Sequence, residues 1–262
     1  MSRINAQWRF RLVVFWGFVS GFLPLWANSS ESVTIHTYHQ APPFITGEGT
    51  GLTYDLATYL SQHSNGTYQF TVEVLPRKRL DLMLDQTDMI IPWVIPAWFG
   101  PESSEQFQWT KTILEDGSIY IWKNDGTKRF TKPEDLKSYH LGGIQGYRYI
   151  NIDPLVQSGE ITRSDTGSEK QLLEMLLLRR VDVGISPYSA SVFIMKENSW
   201  TNDLSFSSHS QFGRKFLLNT NNKQVSDYIE NISKDMLADK KWLQTLHNYG
   251  LTNNILKSDY TK

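Results

Sequence analysis

The most distinctive chemistry in this sequence belongs to the aromatic side chains of one short segment, IPWVIPAWFG, at positions 91–100. Trp93, Trp98 and Phe99 follow a short apolar run, two prolines interrupt the segment, and none of its residues carries a charge. Ring faces of this kind can stack on a flat or apolar molecule or pair with a cation. The segment therefore predicts either a stacking surface for a bound molecule or an aromatic contact that packs one part of the chain against another.

Patterns typical of enzymes and metal sites are absent from the sequence. The six histidines show no metal-ligand spacing, and neither HExxH nor GxSxG occurs. The glycines of GGIQG (142–146) are too closely spaced for a dinucleotide fingerprint. We therefore predict a protein that is not an enzyme and that has no cofactor and no bound metal.

The first 27 residues have the layout of a secretory signal peptide. Three arginines precede an uncharged apolar run at positions 12–26, and Ala27 offers a small residue at a plausible cleavage site. The run is short for a membrane span and contains Ser, Pro and Gly. We expect cleavage and export to the periplasm; the alternative is an uncleaved membrane anchor.

The charge and the cysteine count exclude several classes of protein. The 262 residues include no cysteine, which excludes disulfides, thiolate metal sites and a lipid-modified N-terminal cysteine. Without the three arginines of the signal peptide, 23 basic residues face 27 acidic ones, a net charge of −4. That balance does not favour binding to nucleic acid or to an anionic membrane. A soluble, monomeric periplasmic protein of a Gram-negative bacterium fits these observations.

Two α/β units must position the aromatic segment. In the first, strands at 33–39, 68–76 and 88–94 alternate with helices at 52–62 and 77–86. This order predicts a parallel sheet with helices on both faces. The second unit has predicted strands at 139–146, 161–165 and 181–187 and predicted helices at 168–180, with Ser168 as N-cap, and at 188–198. Extended segments are predicted at 107–125 and 204–220, and the chain ends in a helical segment at 222–251.

The order of these landmarks resembles that of the extracellular solute-binding proteins of family 3, the periplasmic receptors of polar amino-acid uptake systems. The motifs that carry the resemblance are YHQAPPF, GLTYDLATYL, PRKRLDLMLDQTDMII, FQWTKTIL, DLKSYHLGGIQGYRY, LLEMLLLRRVDVGIS and DMLADKKWLQTLHNYGL. The resemblance implies an α/β, periplasmic binding protein-like fold of class II, with two doubly wound lobes joined by two hinge strands. Lobe 1 would comprise residues 28–118 and 208–262, and lobe 2 residues 119–207.

In this fold the ligand binds in the cleft between the lobes, at the carboxyl ends of the strands, and the lobes close around it. Two departures from the family pattern concern the ligand. Many members hold the α-carboxylate with an arginine after the third strand, where this chain has Ala97, Trp98 and Phe99. Many also hold the ammonium group with an aspartate near the position of Ser186 and Pro187. The usual clamp for a free amino acid is therefore missing from the sequence.

The candidate ligand-binding residues lie at the ends of the predicted strands. Arg77 could replace the missing carboxylate partner, and the glycine-rich turn before Tyr147 and Arg148 is predicted to open a helix whose free N–H groups could hold an anion. For every candidate the alternative is an ordinary role in the core, in a helix cap or on a solvated surface. The full set is Tyr38, Phe44, Arg77, Trp93, Trp98, Phe99, Gln145, Gly146, Tyr147, Arg148, Thr166, Ser186 and Tyr188.

The sequence therefore predicts a periplasmic receptor that captures a small polar or aromatic solute for an ABC-type uptake system. Its partners would be that small molecule and an inner-membrane ABC permease or sensor. Two alternatives stay open: a receptor component for a separate membrane signalling protein, and a dehydratase-like enzyme, because a few relatives of the fold are dehydratases.

Overall fold

The computed structural model describes residues 30–126 and 129–251. The predicted signal peptide lies outside these residues. Within the described part of the chain, no helix is both long and apolar enough to cross a membrane.

The first lobe follows the predicted β-α-β-α-β order. Its first strand is rich in β-branched residues, and its first helix buries Leu52, Leu56 and Leu60 on one face, as the helical spacing predicts. Its elements are β1 (Glu31–Thr37), α1 (Leu52–His63), β2 (Tyr68–Val74), α2 (Arg77–Leu84), β3 (Met89–Val94), α3 (Ser103–Gln106) and β4 (Gln108–Trp109).

The second lobe is a further α/β unit, and the helical end of the chain follows it. Ser168 is the N-cap of the helix that begins at Glu169, as predicted, because its hydroxyl accepts a hydrogen bond from the Gln171 N–H. The remaining elements are β5 (Leu114–Lys123), β6 (His140–Ile144), α4 (Asp153–Gln157), β7 (Thr162–Thr166), α5 (Glu169–Leu177), β8 (Val183–Pro187), α6 (Tyr188–Glu197), β9 (Leu204–Asn219), α7 (Lys223–Asp235) and α8 (Lys240–Asn248).

Two long antiparallel strands, β5 and β9, join the lobes. They pair along the whole length of β5, from Leu114 opposite Arg214 to Lys123 opposite Leu204. The rest of β9 pairs with β3 and β4, whereas β5 also pairs with β8. The result is a mixed sheet in the order β3-β9-β5-β8-β6-β7, beside a parallel pair of β1 and β2. We call β5 and β9 the hinge strands.

Each lobe is packed around apolar strand faces. All six residues of β3 are buried, because helices cover the sheet on both sides. The largest apolar cluster includes Trp93 and Trp242, whose rings stack with centroids 6.2 Å apart. A second cluster, around Tyr120 and Trp122, fills the other face of the second lobe.

One local prediction is wrong. The glycine-rich turn after β6 does not lead directly into a helix: Gly146 has a positive φ of 83°, and the next helix, α4, begins only at Asp153. Pro154 suits the first turn of α4, where its missing N–H costs nothing, and the Asp153 carboxylate accepts a hydrogen bond from the Tyr149 N–H. The predicted helix N-terminus for an anion therefore does not exist beside Gly146.

Candidate functional site

The carboxyl ends of β1, β3, β6, β7 and β8 mark the edge of the sheets where α/β folds bind ligands. Most of the predicted residues lie at this edge, but they play different parts there. Those of the first lobe form one aromatic cluster around two arginines, and those of the second lobe divide into an exposed loop and a buried group.

Trp93 turns away from the cleft and into the core of the first lobe. Its backbone has a φ of 70°, unusual for a bulky residue, and the pairing of β3 with β9 is irregular at this point. The indole is fully buried, and its Nε1 donates a hydrogen bond to the Thr53 hydroxyl at 3.0 Å. The ring therefore offers no stacking surface to a solute in this structure.

The same backbone geometry directs the Trp93 carbonyl towards Arg214, a buried residue of hinge strand β9. Arg214 Nη1 donates a hydrogen bond to that carbonyl at 2.6 Å. Three rings surround the guanidinium carbon: those of Phe44, Trp98 and Phe212, at 4.8, 5.2 and 5.4 Å from the ring centroids. Such distances are typical of cation–π contacts.

Asp116 of hinge strand β5 neutralises this arginine. Arg214 Nε lies 2.5 Å from its carboxylate, and both residues are almost completely buried. The same carboxylate accepts hydrogen bonds from the Gly117 N–H, the Ser189 N–H and the Ser189 hydroxyl. Because Ser189 lies in the first turn of α6, Asp116 also places a negative charge at that helix N-terminus, where it is stabilising.

Arg77 is engaged by the protein through all three of its guanidinium nitrogens. It binds Asp81 Oδ1 at 2.7 Å, the Tyr38 hydroxyl at 3.1 Å and the Trp98 carbonyl at 2.8 Å. Its guanidinium also lies over the rings of Tyr38 and Phe99. In this arrangement Arg77 fixes the aromatic loop in position, and its hydrogen bonds to the protein compete with any carboxylate of a solute.

His39 lies between the two arginines and was not a candidate from the sequence. Its ring centroid is 4.2 Å from that of Tyr38 and 5.8 Å from that of Trp98. Burial, followed by the positive charges of Arg214 and Arg77, holds the pKa of His39 well below its usual value. The imidazole is therefore neutral at physiological pH and adds another flat ring to the aromatic cluster of the first lobe.

The candidate residues of the loop after β6 lie on the surface of the second lobe. Gln145, Gly146, Tyr147 and Arg148 are all exposed, Tyr147 to 41%. The Tyr147 hydroxyl donates a hydrogen bond to Glu169 Oε1 at 3.0 Å. Desolvation of the hydroxyl group and the Glu169 charge raise the pKa of Tyr147, although much of the ring is exposed, and the Arg214 charge opposes that rise.

The other candidates of the second lobe are inaccessible in this structure. Ser186 and Tyr188 are buried, and the Tyr188 ring packs near Phe206 with centroids 6.0 Å apart. The Ser186 hydroxyl has no hydrogen-bond partner among the described residues. Thr166 is also buried, and its hydroxyl donates to the Ser168 carbonyl at 2.9 Å. These three side chains therefore present almost no accessible surface to a solute in this structure.

The sequence did contain a signal for the Arg214–Asp116 pair. Phe212, Arg214 and Phe216 alternate along one face of β9, so an arginine stands between two apolar side chains on that face. Asp116 likewise stands within a mostly apolar strand. A charge in such a position needs an opposite charge when it is buried, and the two hinge strands each supply one.

A pocket lies away from this edge of the sheets. It has a volume of about 330 Å³ and opens at the amino ends of β1 and β3, where Glu31, Asp88 and Asn222 line it. That end of a doubly wound sheet is not where ligands bind. In the part of the chain that the structure describes, no group of three or more His, Cys, Asp or Glu side chains could hold a metal ion.

Comparison with solved structures identifies the architecture. The periplasmic domain of B. pertussis BvgS superposes with a TM-score of 0.67 at 18% identity, over 87% of this chain and 44% of that one. The L-cystine solute receptor of Neisseria gonorrhoeae, in its unliganded open conformation, gives 0.63 at 14% identity, over 85% and 94% of the two chains. The fold is that of the periplasmic solute-binding proteins.

A third similar structure is an ancestral arginine-binding protein bound to arginine, with a TM-score of 0.59 at 15% identity, over 84% of this chain and 99% of that one. No protein-family model matches the chain, and no curated protein does. The chain spans less than half of the BvgS domain but nearly the full length of the other two proteins. At these identities the likeness establishes the fold and leaves the ligand open.

Proposed function

We propose that this protein is a periplasmic receptor that captures a small polar or aromatic solute between its lobes and lacks the usual clamp for a free α-amino acid. One observation carries the proposal. Both arginines at the predicted site are already bound to protein carboxylates and carbonyls, whereas the rings around them form a continuous wall at the ligand-binding edge of the fold.

Recognition would then depend on ring faces and a few polar groups. Trp98, which is partly exposed, would supply the first-lobe surface, and Tyr147 and Gln145 would cover the solute from the second lobe. The Tyr147 hydroxyl donates its proton to Glu169 Oε1, so its oxygen would serve as a hydrogen-bond acceptor for the solute. A solute that touches both lobes only when they are close shifts the population towards the closed state.

We further propose that lobe 1 comprises residues 28–118 and 208–262 and lobe 2 residues 119–207, with the hinge strands crossing between them. Delivery of the solute to an ABC permease is the role that the fold favours. The likeness to the BvgS periplasmic domain favours a second role, as the receptor component of a separate membrane signalling protein. In either role the solute is released unchanged, which distinguishes a receptor from an enzyme.

A thermal-shift screen with amino acids, amines, small peptides and aromatic acids tests the proposal, because a molecule that binds the native state raises the melting temperature. Once a solute is found, Trp98→Ala should weaken its binding by at least about 1 kcal/mol, roughly fivefold, if the indole is desolvated by the ligand. The matched control is Trp200→Ala, a partly buried tryptophan packed on the second-lobe core. If the Trp98 variant bound the solute with unchanged affinity, the aromatic loop would have only a structural role.

A further inference from the structure

The ion pair of the hinge strands has an unusual set of neighbours. Its guanidinium is surrounded by groups that a protein would use to bind a free guanidinium: a carboxylate, a backbone carbonyl and three aromatic rings. We call this set the guanidinium cage. Its members are the Asp116 carboxylate, the Trp93 carbonyl and the rings of Phe44, Trp98 and Phe212.

We infer that the guanidinium cage is a cation subsite at the floor of the cleft and that the chain fills it with its own Arg214. The inference rests on the proposed function in that it takes the cleft to be the solute site. The inference also concerns the solute. Because Arg214 occupies the cage, a guanidinium or ammonium group of a solute cannot bind there, so solutes that depend on such a group for binding are rejected. Neutral and aromatic solutes, held by the rings above the floor, are favoured.

The position of Arg214 supports this reading because it contacts the first lobe directly and is linked to the second lobe through Asp116. Trp93, at the carboxyl end of β3, belongs to the first lobe, whereas Ser189, which shares the Asp116 carboxylate, opens a helix of the second. A captured solute must likewise touch both lobes to favour closure. Arg214 makes such a connection from within the chain.

The backbone conformation of Trp93 independently supports the inference about the guanidinium cage. A φ of 70° in a bulky residue costs on the order of 1–3 kcal/mol and is expected where function needs a particular geometry. The consequence here is that the Trp93 carbonyl accepts from Arg214 Nη1 while the indole stays in the core. A strand of ordinary geometry would not direct consecutive groups to these two places.

Chemical rescue tests the inference without knowledge of the solute. Arg214→Ala removes the internal guanidinium and leaves the cage empty, so low-millimolar methylguanidinium should bind there and raise the melting temperature of the variant. At a methylguanidinium concentration one hundred times its Kd for the variant, the melting temperature should rise by about 5 °C or more. Methylammonium, which lacks the planar fork, should raise it less. The wild type, whose cage is filled, should respond to neither cation.

Two further variants make the result specific. In Arg214→Ala combined with Asp116→Asn the carboxylate is gone, and the preference for methylguanidinium should disappear. Arg77→Ala is the matched control, because it removes a guanidinium that also lies over two rings but whose side chain is 34% exposed. It should show little or no rescue.

Arg214→Ala leaves a buried carboxylate without its cation, so the variant is at risk of not folding. In that case the refolding yield replaces the melting temperature, and methylguanidinium should raise the yield several-fold over methylammonium. Equal effects of the two cations, no effect of either, or the same response in the wild type would overturn the inference. The solute screen on the wild type decides the proposed function separately, since rescue of the cage does not depend on its outcome.

Discussion

The two sides of the cleft are built in different ways. On the first lobe and the hinge, Arg77 and Arg214 are each bound by a carboxylate and by backbone carbonyls, and rings pack against both. On the second lobe, residues 145–148 form an exposed loop, where the Tyr147 hydroxyl donates a hydrogen bond to Glu169. The first side is held by buried ionic and ring contacts, whereas the second presents exposed polar side chains.

This difference assigns separate tasks to the two lobes. A preorganised wall binds a flat solute with little further loss of conformational entropy. A loop with exposed polar side chains can adjust as the lobes close, at the cost of ordering them. We therefore expect substitutions in the wall and hinge to change stability strongly and those in the loop to change mainly solute binding.

The largest effect should come from Asp116→Ala. The substitution leaves Arg214 buried without a counter-charge and removes the acceptor at the N-terminus of α6, so we expect the free energy of unfolding to fall by about 3–5 kcal/mol. The measurement is urea denaturation. Asp81→Ala removes the carboxylate partner of the partly exposed Arg77 and should cost less than about 1 kcal/mol. Similar losses in the two variants would contradict the distinction between a buried hinge pair and a surface pair.

A smaller effect separates two neighbouring tyrosines of the second lobe. The buried Tyr149 hydroxyl accepts from the Ile144 N–H and donates to the Ile185 carbonyl. Tyr149→Phe should therefore destabilise the protein by about 1–3 kcal/mol, because it leaves buried backbone groups unsatisfied. Tyr147→Phe, in the exposed loop, should change stability by no more than about 0.5 kcal/mol.

Thermal or urea unfolding of both tyrosine variants supplies the comparison. If Tyr147→Phe proved as destabilising as Tyr149→Phe, the loop would be part of the scaffold, and the contrast between the two sides of the cleft would be lost.

The smallest effect concerns pH. Burial and two nearby arginines lower the pKa of His39 in the folded state, so the unfolded chain takes up a proton near pH 6.5 that the folded chain does not. Stability should therefore fall as the pH drops from about 7 to about 5, with a slope of at most about 1.4 kcal/mol per pH unit for each such histidine. Burial also lowers the pKa values of His36 and His209, which contribute in the same direction.

Urea denaturation at several pH values measures this slope. His39→Asn should reduce it more than His36→Asn or His209→Asn does, because the charges of Arg214 and Arg77 oppose protonation of His39, whereas Glu73 favours protonation of His36 and no charge of the described residues acts on His209. A slope that is unchanged by His39→Asn would show that the imidazole is not held neutral in the wall.

Much of the fold could be predicted from the sequence because it depends on local patterns. The alternation of β1, the helical spacing of α1 and the capping role of Ser168 are all properties of short segments. The fold class is confirmed by the structure and by its likeness to solute-binding proteins. The prediction of a helix directly after Gly146 is wrong because a turn after a strand leads into a helix only when the residues that follow favour a helix start. Here the helix starts later, at Asp153, with Pro154 in its first turn.

For the candidate site, the sequence determined which residue types were available: an aromatic segment, an arginine at the start of α2, and no arginine after the third strand. Only the tertiary structure decided that Trp93 turns inwards, that Arg77 is bound by its neighbours, and that Arg214 meets Asp116. The last two residues are 98 positions apart in the chain, and their side chains meet on one face of the sheet because β5 and β9 pair in one particular register. Register depends on the packing of whole strands, so no short stretch of sequence contains it.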